Sequence, residues 1–156
     1  MTRFVFVAFC FLLLQAGASA QANPTLEIES RDGEARLFYI EVADTPELIE
    51  RGLMERERLD AQAGMLFDFG EPRDAAMWMK NTPLSLDMLF IDDKGRVIAI
   101  ARNTVPQSER RISTGARVRA VLEINAGAAR ALNIEPGAIV RHSLFGNENT
   151  VKGEGE

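Results

Sequence analysis

Apolar and polar residues alternate along most of this chain. Leu26-Glu27-Ile28-Glu29 has the period of two expected of a half-buried strand, and residues 36–43 (RLFYIEVA) repeat it beyond an Asp32-Gly33 turn. Two such runs around Asp-Gly predict a β-hairpin, with Phe38, Ile40 and Val42 turned to the core. Asp44-Thr45-Pro46-Glu47 then gives a capping side chain, a Pro suited to the first helical turn and an acid at the positive dipole end. A helix is predicted from there to Gly52 or Met54, burying Leu48, Ile49 and Leu53, with a charged connection over 55–60.

Further short runs follow. Residues 65–69 and 76–80 read as strands separated by a Pro72 turn, and 88–91 and 97–101 read as a pair around Asp92-Asp93-Lys94-Gly95. Residues 103–117 are polar and predict a long surface loop. Strands at 118–124 and 139–145 flank a short helix at 126–132, capped by Asn125 and ended by a left-handed Asn133, with a Glu135-Pro136-Gly137 turn after it. The pattern amounts to about seven to nine short strands and two short peripheral helices, which predicts a mainly β fold, a small sandwich or barrel, over βαβ units.

The two ends read differently. Arg3, an apolar run at 4–14 and Ala18-Ser19-Ala20 make residues 1–20 a secretory signal peptide, cut before Gln21. The run is too short to span a bilayer. The expectation is therefore an exported protein, periplasmic or secreted, with one domain over 21–146 and a polar, Gly-rich, disordered tail over 147–156. Cleavage removes the single Cys, so neither disulfide nor thiol chemistry is expected in the mature chain. It also removes Arg3, making the formal charge of −5 one unit more negative. That balance argues against nucleic acid and against an anionic membrane as partners.

The segment 76–92, AMWMKNTPLSLDMLFID, concentrates the candidate chemistry. Trp78 offers a flat apolar wall, and Lys80, Asn81 and Asp87 could orient a small polar ligand beside it, with Glu123 and Asn125 on a strand face near Asp87. The competing structural reading pairs Lys80 with Asp87 across the loop. A catalytic reading makes Lys80 a desolvated base or nucleophile and Asp87 its partner. Met77 and Met79 share a face, with Met54, Met65 and Met88 in segments that would pack nearby; thioethers select Cu(I), although methionines also fill cores. His142, the single His, reads as structural. No zinc, calcium or phosphate-loop spacing occurs, and no cofactor is expected.

Several blocks stand in a familiar order: Gly52-Leu53-Met54-x-Arg56, Gly64-Met65-Leu66-Phe67-x-Phe69, Met77-Trp78-Met79-Lys80-Asn81-Thr82, Leu86-Asp87-Met88-x-Phe90-Ile91-Asp92, Val121-Leu122-Glu123 and Ala126-Gly127. Together they resemble the Domain of Unknown Function 192 family across most of the mature chain. The resemblance implies a jelly-roll-like β-sandwich and frequent export. It implies no activity, so the reading is a non-enzymatic ligand-binding or accessory module with a small ligand or exported protein as partner.

Overall fold

The computed structural model describes residues 24–148. The expected signal peptide and all but the first two residues of the expected tail lie outside that range. The architecture is mainly β with two short helices, as the alternation predicts. In chain order the strands are β1 (Thr25–Glu29), β2 (Ala35–Ala43), β3 (Ala63–Asp74), β4 (Leu86–Ile91), β5 (Val97–Ala101), β6 (Arg117–Asn125) and β7 (Ile139–Arg141). Helix α1 (Pro46–Arg51) links β2 to β3, and α2 (Ala128–Ala131) follows β6.

All seven strands join one curled sheet, a half-barrel in the order β5-β4-β6-β3-β2-β1-β7. Among the described strands only β2 and β3 pair in parallel, and α1 supplies the crossover that such a pair requires. The two outer strands meet at one corner. Arg96 bridges Ile139 there, and Val97 and Val140 donate backbone hydrogen bonds to Ala138 and Gly95.

Each central strand carries apolar side chains on both faces, so the sheet has two cores. One contains Leu26, Ile28, Phe38, Leu66, Leu89 and Leu122, inside the curl. The other contains Leu53, Met65, Phe67, Met77, Met79 and Met88, under α1 and the segment leading to β4. Strand β4 is buried at every position, its odd and even residues serving different cores.

The structure departs from the sequence reading at several elements. Residues 71–74, expected as a turn at Pro72, continue β3 through a register shift between Asp68 and Arg73. Residues 76–80 make a single bridge, Met77 to Ile112, where a strand was expected. Leu48 is exposed, not buried. Asn125 does not cap α2: its amide donates to the Leu59 and Asp60 carbonyls. The last strand stops at Arg141, and Ser143–Phe145 form a 3-10 turn. Asn147, placed by sequence in the tail, donates to the Lys94 and Val140 carbonyls and is part of the fold.

Candidate functional site

Helix α1 and the 76–80 segment stand on either side of a recess over the second core. Thr45 Oγ1 accepts from the Leu48 N–H at 3.3 Å and fixes the start of α1. At its end Gly52 turns with φ +46°, and a Cβ there would lie 3.0 Å from Phe67 Cζ. The small residue thus lets the helix end settle against Phe67. The opposite wall is held by backbone bonds from Met77 to Ile112 and from Met79 to Ser108. Residues 108–112, part of the expected surface loop, therefore pin the Met-Trp-Met segment.

Between these walls lies a cavity of about 310 Å³, within the usual range for a small-ligand site. Leu53, Phe67, Phe69 and Met77 supply its apolar surface, and Trp78 stands at the rim, 40 % exposed. Lys80 Nζ lies 5.2 Å from the Trp78 ring centre, and the Arg73 guanidinium lies 4.3 Å from that of Phe69. Both are within cation–π reach.

Glu123 also lines this cavity and is only 4 % exposed. Its neighbours in register are Met65 on β3 and Met88 on β4. No hydrogen bond or ion pair reaches its carboxyl from any described residue, and its oxygens keep some surface toward the cavity. Burial among apolar side chains pushes its pKa up to about 8, so the group is mostly protonated at neutral pH. Most buried polar side chains have a partner; the Glu123 carboxyl faces the cavity instead.

Asp87 belongs elsewhere. It is fully buried, but its side chain leaves β4 on the Leu89 and Ile91 face, toward the other core. Its Oδ1 accepts from the Asn103 N–H at 2.8 Å and its Oδ2 from the Ala129 N–H at 3.0 Å, in the first turn of α2. Lys80 forms no ion pair with it; the expected Lys80–Asp87 pairing, structural or catalytic, is replaced by two backbone amides. Nor do Glu123 and Asp87 share a surface, because one register step on adjacent strands reverses the face.

The structure thus brings together Trp78, Lys80 and Glu123, with Asn81 in a shallower hollow alongside that shares Trp78 and Lys80. Asn81 adopts φ +53°, and its carbonyl accepts from the Glu55 N–H. Met77 and Met79 share a face as expected and pack in the second core, where Met79 Sδ lies 3.2 Å from Thr104 Oγ1. Among the described residues no group of three His, Cys, Asp or Glu side chains is placed to hold a metal. His142 accepts the Leu144 N–H on Nδ1 and fastens the 3-10 turn.

Sequence reasoning did not single out Arg73, Phe69 or α1 as parts of this recess. The parity of Met65, Phe67 and Phe69 was a readable signal that the three share a face. Arg73 lies beyond the register shift and left no such signal.

The family model DUF192, described as Uncharacterized ACR, matches residues 27–142. Among solved structures, a candidate transcription regulator from Sinorhizobium meliloti is similar at 41% identity and a TM-score of 0.76, over 77% of this chain and 93% of that one. A protein of unknown function from Novosphingobium aromaticivorans is similar at 36% identity and a TM-score of 0.73, over 76% of this chain and 84% of that one. No curated protein matches.

Proposed function

The chain belongs to the DUF192 family, a family of unknown function, and from that premise we propose that it is an exported, non-enzymatic module that binds a small ligand in the cavity between α1 and β6. One observation carries this reading: Glu123 is buried against a cavity of about 310 Å³, and no described residue partners its carboxyl. Leaving a buried polar group unpaired costs about 1–3 kcal/mol, and a ligand that supplies the partner recovers that cost. Export rests on the composition of residues 1–20, and the preference for a small molecule over nucleic acid rests on the acidic charge of −5.

The enzymatic alternative is better carried by Glu123 than by Lys80 with Asp87. A carboxyl with a pKa near 8 is suited to proton transfer at neutral pH, whereas both oxygens of Asp87 are already committed. Binding is the preferred reading because, among the described residues, no second acid, base or nucleophile is hydrogen-bonded or ion-paired to Glu123.

A carbon-detected NMR titration of the Glu123 carboxyl, combined with a fragment screen, tests the site. Binders are expected to shift the Glu123 carboxyl and the amides of Met54, Phe69 and Trp78 together. A carboxyl that titrates near 4.5, with no fragment perturbing those amides, would sink the proposal. N-terminal sequencing of protein recovered from outside the cytoplasm tests export, with Gln21 the expected first residue.

A further inference from the structure

The rim of the cavity carries Glu50, Arg51, Arg73, Asp74 and Lys80, three cations against two anions. None of the three cations has a carboxylate partner among the described residues. Arg73 and Lys80 cover the ring faces of Phe69 and Trp78. An aromatic wall normally welcomes a ligand cation, but here each face already holds one of the protein's own. A ligand ammonium would meet occupied rings and an excess of positive charge, whereas an anion would meet two unpaired donors of the right sign.

The depth of the cavity makes a different demand. Phe67, Leu53 and Met77 want an apolar body, and Glu123 wants a hydrogen-bonding atom. Because burial holds that carboxyl mostly protonated at neutral pH, it can donate its proton to a hydroxyl or carbonyl oxygen. The two ends of the cavity therefore ask for different things, which fixes an orientation.

We propose, resting on the binding function above, that the cavity takes a small organic anion whose carboxylate sits between Arg73 and Lys80, whose compact apolar body lies against Phe67, and whose hydroxyl or carbonyl at the far end meets Glu123. The volume of about 310 Å³ limits the ligand to a single ring or an equivalent short chain.

Three probes of one shape separate the parts of this proposal. Calorimetric titration of the purified protein at pH 6.5 would compare 4-hydroxyphenylacetate, phenylacetate and tyramine. The first is expected to bind best. Phenylacetate, lacking the hydroxyl, should be roughly 5-fold weaker or worse. Tyramine, with the same ring and hydroxyl but the opposite charge, should be at least ~10-fold weaker. Arg73→Met and Lys80→Met should each weaken both carboxylates by roughly 3- to 10-fold and leave tyramine no weaker. Lys80→Gln serves if the Met variant melts early. Glu123→Gln, which keeps a donor, should retain 4-hydroxyphenylacetate. Tyramine binding as tightly as its carboxylate counterpart overturns the anion proposal and leaves the cavity a binding site. Indifference of the carboxylates to both Arg73→Met and Lys80→Met overturns it too. If none of the three probes binds, the anion proposal falls, while the fragment screen and the Glu123 titration decide the binding function separately.

Discussion

Asp87 and Glu123 stand one register step apart on adjacent antiparallel strands and point through opposite faces of the sheet: Asp87 opposes Ile124, and Met88 opposes Glu123. Both are buried, at 0 % and 4 % exposure. Yet Asp87 accepts two backbone N–H bonds and Glu123 accepts none from the described residues. A buried acid whose bonds are all internal holds structure together. A buried acid facing a cavity without a partner is a cost to the fold that a function can explain.

Asp87 is therefore expected to be a stability residue. Asp87→Ala strands the Asn103 and Ala129 amides in the interior, and a loss of about 3–5 kcal/mol is expected in urea unfolding. Asp87→Asn places an NH2 group against one of those amides and should cost about 1–3 kcal/mol. Lys80→Met combined with either should be additive within ~0.5 kcal/mol, since the two residues share no contact. A larger coupling energy would mean that the lysine and the aspartate interact after all.

Glu123 should give the stability curve a pH slope of unusual sign. Its folded pKa of about 8 lies above the ordinary value of 4.5. Between those two values the folded state binds more protons than the unfolded state, so stability falls as pH rises through this window and levels off above it. The loss is on the order of 5 kcal/mol for a group this buried. Glu123→Gln should flatten the slope. The low pKa of Asp32, about 2, acts below pH 4 and does not overlap. Unfolding at pH 5 and pH 9 checks this, and equal losses in wild type and variant would show that water already reaches the carboxyl.

Much of the fold was legible because alternation is local. The β1–β2 hairpin, β4 to β6 and the Thr45 cap follow from neighbouring residues alone. The misreadings arise where distant pairing overrides a local signal. Pro72 looks like a break, but Arg117 from β6 bonds its carbonyl and β3 runs on past the register shift. Residues 76–80 alternate like a strand, yet their partner is a loop that offers one bridge. Closeness in sequence suggests the Lys80–Asp87 pairing, whereas the parity of Asp87 with Leu89 and Ile91 puts its side chain on the face away from Met88. Glu123 could be named as a candidate but not as an unpartnered acid, because its surroundings depend on the register of β6 against both β3 and β4.

The contact between Lys80 and Trp78 offers an optical readout. Trp78 is the single tryptophan, and Lys80 Nζ lies 5.2 Å from its ring centre. Lys80→Met removes a positive charge from the ring face and should shift or rescale the emission, while costing at most about 1 kcal/mol because the site is partly open to water. Quenching of the same emission by 4-hydroxyphenylacetate should weaken in parallel. Unchanged emission in the variant would place the ammonium away from the ring in solution.

The corner where the sheet closes makes the sharpest demand on a single residue. Gly95 has φ +81°, and a Cβ built on it would lie 2.4 Å from the Val140 carbonyl oxygen and 2.5 Å from the Asn147 amide nitrogen. That carbonyl accepts from Asn147, and the Val140 N–H donates to Gly95 O. A methyl group at this point must push β7 away from the turn before β5, and it does so from a backbone conformation that L residues rarely adopt. Gly95→Ala should therefore cost about 2–4 kcal/mol and speed hydrogen exchange at the Val97 and Val140 amides. Exchange at the Met77 and Met79 amides, on the far side of the sheet, should be much less affected. A variant as stable as wild type would mean that the two edges of the sheet are not joined at this corner in solution.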